Sequence, residues 1–164
     1  MSYKNKTYIA FDADTDIKIY RLMTAWKENE KIDFNFHNAH DLNNLRDGSS
    51  EEQIKRKLKE RLLNTKQVIV LVGEKTKNLY KFVRWEIEVA IDLNLPIIAV
   101  NLDKNNDSTD KTPPILLKNA YFVNVPLELK KIKYALDHFP SEFESNKTQP
   151  ASSRHYDWSK IKLD

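Results

Sequence analysis

Cysteine is absent from this chain of 164 residues, and glycine occurs only at Gly48 and Gly73. Without cysteine the chain forms no disulfide, binds no metal through a thiolate and has no cysteine nucleophile. Two glycines are too few for the GxGxxG fingerprint of dinucleotide-binding folds, and the glycine–lysine loop that cradles phosphates is also missing. A nucleotide, if one binds, is therefore not held in the standard Rossmann or P-loop manner.

The sequence also lacks any long apolar segment and any strong excess of one charge. No run approaches the roughly 18 apolar residues that span a membrane, and the first residues do not resemble a signal peptide. The 27 basic and 24 acidic side chains are too balanced to indicate a nucleic-acid partner. The densest basic segment, from Lys55 to Arg61, is interleaved with glutamate, which is typical of a solvated helix face. We therefore expect a cytoplasmic globular protein without nucleic-acid or membrane partners.

Short apolar segments alternate with helical periodicities along the chain. Apolar runs bounded by polar residues predict five strands: Thr7–Phe11, Phe34–His37, Val68–Val72, Ile97–Val100 and Tyr121–Val125. Apolar residues three and four apart predict four helices: Thr15–Glu28, Ser50–Asn64, Leu79–Leu93 and a helix from Pro126 to about Phe139. Asp14 or Thr15 is the expected N-cap of the first helix, and Ser49 with Glu52 has the spacing of a capping box.

The alternation of strands and helices predicts an α/β fold. The continuous apolar runs of the third and fourth strands indicate a parallel sheet covered on both faces. Right-handed crossovers favour a flavodoxin-like doubly wound sheet of five strands in the order 2-1-3-4-5. We expect one domain to span residues 1–140, followed over 141–164 by a linker and a tail. Tyr156 and Trp158 indicate that the tail docks on the domain.

Ligands of doubly wound sheets bind beyond the carboxyl ends of the strands, where the strand order reverses. In this chain that point lies between the first and third strands. It places Phe11, Asp12, Ala13 and Asp14 at the mouth of the expected site. The loop of residues 39–48 is positioned to close over it.

The most informative residue is Glu86, which interrupts the apolar stripe of the third predicted helix. At about 100° per residue, Glu86 falls near the centre of the apolar side, whereas Arg84 and Glu88 fall on the opposite side. An ionised carboxylate that faces a core costs several kcal/mol unless it is paired. Glu86 therefore has either a buried partner or a position in a ligand cavity, and the second interpretation makes it a catalytic candidate.

Other sites found on this type of fold lack the residues they need. A response-regulator receiver has a phosphoacceptor aspartate at the end of the third strand, where this chain has Gly73 and Glu74. His37 and His40 are close in sequence, but Asp41 is the only obvious further ligand nearby, so no metal site is expected. No serine lies in the GxSxG elbow of a triad hydrolase.

An inward-facing carboxylate beside a Phe-Asp-Ala-Asp segment suits cleavage of an N-glycosidic bond. An aromatic ring can stack on a base or on nicotinamide. A single carboxylate can hold ribose hydroxyls and stabilise an oxocarbenium-like transition state.

Four segments of the chain resemble the TIR-like proteins of the bacterial Thoeris anti-phage system: YIAFDADTD, LRDGSSEEQIKRKL, VIVLVGEKT and FVRWEIEVAIDLNLPIIAVNL. The last is the most specific, because TIR enzymes carry an aromatic residue, a short spacer and then the catalytic glutamate followed by an aliphatic residue. The corresponding residues here are Phe82, Glu86 and Ile87, with phenylalanine where the family usually has tryptophan. The resemblance covers about residues 6–140, and RHYDW near the end is similar to the tail of these proteins.

The resemblance implies an enzyme that cleaves the nicotinamide–ribose bond of NAD, with NAD as substrate and no further cofactor. Glu86 is then the catalytic residue, and the loop around Asp47 to Ser49 gates the pocket. The product is a cyclic or related ADP-ribose messenger that activates a separate effector after phage is sensed, and self-association completes the active site. The substrate-binding residues implied by position are Phe11, Asp12, Ala13, Asp47, Ser49 and Trp85.

Three other interpretations stay open at the level of sequence. The chain could be a TIR module that signals by self-association without catalysis. It could be an enzyme similar to nucleoside deoxyribosyltransferases, which share the sheet topology, a catalytic glutamate and glycosidic chemistry. In the third interpretation, Glu86 pairs with a buried arginine such as Arg21 or Arg46 and has only a structural role.

Overall fold

The computed structural model describes residues 7–11, 13–29, 36–37, 50–74, 76 and 81–163. The strands are β1 (Thr7–Ala10), β2 (Phe36–His37), β3 (Gln67–Val72), β4 (Ile97–Asn101), β5 (Tyr121–Pro126) and β6 (Ser152–His155). The helices are α1 (Ala13–Asn29), α2 (Glu51–Leu62), α3 (Lys81–Asp92), α4 (Pro114–Asn119) and α5 (Leu129–Asn146). Among the residues within these described ranges, no helix is long and apolar enough to cross a membrane.

The strands form one parallel sheet in the order β2-β1-β3-β4-β5-β6. The predicted α/β fold and the order 2-1-3-4-5 are therefore confirmed. The sixth strand was not predicted from sequence, because β6 reads Ser-Ser-Arg-His and has no apolar alternation. β6 lies at the edge of the sheet beside β5, where backbone pairing holds it and its side chains are half-buried or exposed.

The sheet separates two apolar clusters, one on each face. The first contains Tyr8 and Ala10 of β1 and is covered by α2, α3 and α4. The second contains Ile9 and Phe11 and is covered by α1 and α5. Successive side chains of a strand point to opposite faces, so neighbouring residues of β1 belong to different clusters.

Several element boundaries differ from the prediction. The capping box of α2 is formed by Ser50 and Gln53 rather than by Ser49 and Glu52. Gln53 N donates to Ser50 Oγ at 3.2 Å, and Ser50 N donates to Gln53 Oε1 at 3.0 Å. Glutamine accepts this bond as glutamate does, so the box fits one position later; Ser49 lies outside the described residues.

The last predicted helix was wrong at both ends. Pro126 ends β5 instead of opening the helix, and α5 runs from Leu129 to Asn146. Residues 141–146 are therefore helical rather than a linker, because Phe143 is buried and continues the apolar stripe past Pro140.

Two further helices, α1 and α4, also differ from the prediction. α1 begins at Ala13, two residues before the predicted start at Thr15. A short helix, α4, follows β4 and was not predicted; it opens at Pro114, which suits the first turn because proline has no N–H to leave unpaired.

The C-terminal tail packs against α5 and against the loop after β4. Trp158 Nε1 donates to Asn106 Oδ1 at 2.6 Å, and the Tyr156 hydroxyl donates to Glu142 Oε2 at 3.1 Å. Both rings also make edge contacts with Tyr134 of α5. The prediction that the tail docks on the domain is confirmed.

Candidate active site

Glu86 is the sixth residue of α3 and faces the sheet, as the helical periodicity predicts. The residue is 2% exposed, and Val83, Ile87 and Ala90 on the same side of the helix are buried with it. Arg84 lies on the solvent side of α3 and donates to Glu88 Oε1 at 2.9 Å. Two carboxylates two positions apart on one helix therefore have opposite environments.

One buried partner of Glu86 is a tyrosine of β1. Tyr8 is fully buried, and its hydroxyl donates a hydrogen bond to Glu86 Oε2. Burial raises the pKa of the Tyr8 phenol well above its usual value, and the charge and hydrogen bond of Glu86 raise that pKa further. The phenol therefore keeps its proton at neutral pH and acts as a donor to the carboxylate.

A positive charge also acts on this pair from α2. The Arg61 guanidinium partly opposes this rise and lowers the pKa of Tyr8, because a nearby cation favours the phenolate. Sequence reasoning identified neither Tyr8 nor Arg61 as part of the site. The signal for Tyr8 was present, since alternation along β1 puts it on the same face as Ala10, and an inward-facing carboxylate needs a donor on that face.

The interpretation that pairs Glu86 with Arg21 is contradicted by the fold. Arg21 is exposed on α1, and α1 covers the opposite face of the sheet from α3. Arg46, the other arginine considered, lies outside the described residues.

The predicted substrate-binding residues divide between the two faces. Trp85 is 8% exposed and belongs to the same cluster as Tyr8, next to Glu86 along the helix. The Phe11 ring lies on the other face, where it stacks on Tyr20 with 4.8 Å between ring centroids. The structure therefore brings Trp85 but not the Phe11 ring to the side of the sheet that holds Glu86.

The remaining predicted substrate contacts are Asp12, Ala13, Asp47 and Ser49. Ala13 opens α1 just after the end of β1, and its side chain is not among those described. Asp12, Asp47 and Ser49 lie outside the described residues, so their roles stay predictions.

The carboxyl ends of β1 and β3 lie side by side, where the strand order reverses. Ala10 of β1 pairs with Val70 of β3. The chain turns sharply after β3, where Gly73 N donates to Thr76 Oγ1 at 2.8 Å and that hydroxyl donates to Leu71 O at 3.2 Å. In sequence, α3 is the next described helix after this turn and begins at Lys81.

Candidate metal ligands do not gather in the described part of the chain. There, no three histidine, aspartate or glutamate side chains are grouped so that they could hold a metal ion. His37 ends β2, and His40 lies outside the described residues.

A parallel doubly wound sheet with an inward-facing glutamate on the helix after β3 is the architecture of a TIR-like domain. Comparison with known families agrees: the model of the family described as Thoeris protein ThsB, TIR-like domain, matches residues 8–107. This span is more than half of the chain and contains Tyr8, α2 and Glu86. The chain belongs to the Thoeris ThsB TIR-like family, which is consistent with a part in anti-phage defence, and the resemblance predicted from sequence is confirmed.

Proposed function

We propose that this protein is an NAD-cleaving enzyme of anti-phage defence, with Glu86 as its catalytic carboxylate. The observation that carries the proposal is the burial of the Glu86 side chain, 2% exposed, on the helix that follows the switch-point turn. A carboxylate kept out of water acts more strongly on a developing positive charge than one on the surface. Membership in the Thoeris ThsB TIR-like family supports this assignment.

The proposed reaction breaks one bond and forms another. The C1′–N bond of NAD breaks, its electron pair stays on the pyridine nitrogen, and nicotinamide leaves as a neutral molecule. Positive charge develops on the ribose ring, where Glu86 stabilises it. Water or a nucleophile within the ADP-ribose part then bonds to C1′ and gives up a proton to solvent. The second route yields a cyclic ADP-ribose messenger that would activate a separate effector.

The substrate contacts in this proposal are those that the resemblance implies, apart from the Phe11 ring, which lies on the other face of the sheet. Trp85 lies beside Glu86 on α3. In sequence, Asp12 and Ala13 follow β1, and Asp47 and Ser49 belong to the segment before α2. We further expect a phage-derived trigger and self-association to raise activity, since TIR active sites are often completed by a neighbouring subunit.

A non-enzymatic TIR module is the second candidate, and one observation favours it. The hydrogen bond from Tyr8 satisfies part of the need of a buried carboxylate, so Glu86 could be retained for structure alone. The remaining alternative is an enzyme similar to the nucleoside deoxyribosyltransferases. Such an enzyme would cleave free nucleosides, whereas the main proposal requires cleavage of NAD.

The test is release of nicotinamide from NAD by concentrated protein, with a crowding agent or a lysate of phage-infected cells present. Glu86→Gln keeps the size of the side chain and removes its charge. We expect this variant to be slower than wild type by about 100-fold or more, with the product of the wild type identified by mass spectrometry. Free nucleosides are offered in a parallel reaction.

Glu88→Gln is the matched control, since it makes the same change on the outer side of the same helix. It should cleave NAD at the wild-type rate. Equal rates for Glu86→Gln and wild type, with equal melting temperatures, would overturn the catalytic role, and cleavage of nucleosides in place of NAD would overturn the substrate.

A further inference from the structure

The tyrosine that contacts Glu86 is held more rigidly than a surface hydrogen-bond donor. Tyr8 is the second residue of β1, a strand paired on one side with β2 and on the other with β3. Its own backbone partners are His37 and Val68. The ring is fully buried among the apolar side chains under α2 and α3. The position of its hydroxyl is therefore fixed by the sheet and not by a loop.

The bond from Tyr8 joins α3 to the sheet beneath it, where apolar side chains of both also pack together. Glu86 belongs to α3, and Tyr8 belongs to the sheet beneath it, so the hydrogen bond ties the carboxylate to the centre of the fold. A glutamate side chain has three rotatable bonds, and a donor at a fixed point selects among its rotamers. Reacting groups that shift by about 1 Å lose on the order of 100-fold in rate, so such a constraint matters for chemistry.

From these contacts we infer that Tyr8 is a positioning residue for Glu86: its hydroxyl holds the carboxylate in one orientation and in its ionised form. The inference rests on the proposed function in so far as Glu86 is catalytic. The phenol does not touch the reacting atoms in this account. It acts on the substrate only through the carboxylate.

Several charged and titratable groups surround the Tyr8–Glu86 pair, and the hydrogen bond between the two residues gives the direction of the expected pH effect. Arg61 of α2 and Tyr20 act electrostatically on Tyr8, and Glu86 is its hydrogen-bond acceptor. On the outer side of α3, Glu88 is engaged by Lys55 and Arg84. A hydrogen bond donated to a carboxylate favours its charged form, so loss of the Tyr8 hydroxyl makes protonation of the carboxylate easier.

The experiment compares Tyr8→Phe with Tyr156→Phe, which also removes one hydroxyl that is bonded to a glutamate, in the tail. For Tyr8→Phe, kcat for NAD cleavage should fall by about 10- to 100-fold with KM within about twofold. The acid limb of its pH profile should move to higher pH. Tyr156→Phe should match wild type in all three.

A second measurement does not depend on enzyme activity. In protein labelled with carbon-13 at glutamate carboxyls, the Glu86 resonance is identified by its loss in Glu86→Gln. Its titration midpoint should lie at higher pH in Tyr8→Phe than in wild type. If Tyr8→Phe does not fold, Tyr8→3-fluorotyrosine keeps the ring and makes a stronger donor, so its midpoint should move to lower pH.

The activity assay and the carboxyl titration test the proposed function and the positioning role of Tyr8 separately. Suppose that wild type releases no nicotinamide while the Glu86 resonance is still shifted in Tyr8→Phe. This result would overturn the proposed function, but it would show that Tyr8 acts on the Glu86 carboxylate. An active wild type with unchanged kcat, pH profile and resonance in Tyr8→Phe would overturn the positioning role. An active wild type with a shifted resonance and a lowered kcat supports both.

Discussion

Two tyrosine–glutamate hydrogen bonds within the described residues use the same atoms in different surroundings. Tyr8 and Glu86 meet beneath α3, where neither side chain has appreciable contact with water. Tyr156 and Glu142 meet at the tail, where both side chains are only half-buried. The first pair lies within the residues matched by the Thoeris family model, and the second lies beyond them.

The difference shows that burial, not the hydrogen bond itself, makes the first pair a candidate for chemistry. At the tail, water can replace the Tyr156 hydroxyl at the exposed side of Glu142, and the ring is held mainly by Tyr134 and Trp158. Beneath α3, Glu86 is 2% exposed, so a lost donor is not readily replaced by solvent. A buried, oriented carboxylate has an energetic cost that a surface ion pair does not have.

The largest effect on stability is expected from Tyr8→Phe. A buried acceptor that loses its donor destabilises the fold by about 1–3 kcal/mol, whereas Tyr156→Phe should cost no more than about 1 kcal/mol. Urea unfolding of both variants measures the difference directly. Equal losses would mean that Glu86 is satisfied without Tyr8, and the contrast between the pairs would disappear.

Alkaline pH should act on both pairs in the same direction. Burial raises the pKa of Tyr8 and of Tyr156 above that of an unfolded tyrosine. Each phenol therefore stabilises the fold fully below about pH 10 and loses that contribution as pH rises above the pKa of the unfolded chain, at up to about 1.4 kcal/mol per pH unit. Either tyrosine-to-phenylalanine variant should lose stability less steeply above pH 10; parallel curves for variants and wild type would contradict this.

Glu86→Gln should change stability by less than about 1 kcal/mol in either direction. The substitution removes a charge from an apolar environment, and the amide oxygen can still accept the Tyr8 hydroxyl. Thermal unfolding at neutral pH provides the measurement. A large drop in melting temperature would instead indicate that the charge of Glu86 is required for the fold and would favour the non-enzymatic interpretation.

The smallest effect is expected on the outer side of α3. Glu88 is bonded to Lys55 and Arg84 in partly exposed ion pairs, which are typically worth about 0.2–1 kcal/mol. Glu88→Gln should therefore lower the free energy of unfolding by no more than this, and less at high salt. A loss larger than that of Tyr8→Phe would reverse the ranking of buried and exposed contacts.

Sequence alone predicted the five main strands and the burial of Glu86 because both depend on periodicity, and the right-handed crossover rule then favoured the sheet order. Apolar runs identify central strands, and a helix of known pitch places each side chain on a face. The same reasoning missed β6, whose edge position is set by backbone pairing, and it ended the last helix too early, at about Phe139. Alternation along β1 gives the face on which Tyr8 lies, but its contact with Glu86 also depends on how α3 packs on that face, which no local pattern encodes.

The most direct test of the catalytic role is the ratio of nicotinamide release rates for Glu86→Gln and Glu88→Gln, measured side by side under conditions in which wild type cleaves NAD. Both variants replace a glutamate of α3 by glutamine, so they have the same net charge. Effects of the charge change or of expression on the rate therefore cancel in the ratio. We predict a ratio of about 0.01 or lower. A ratio near one, with both proteins folded, would contradict the assignment of Glu86 as the catalytic carboxylate.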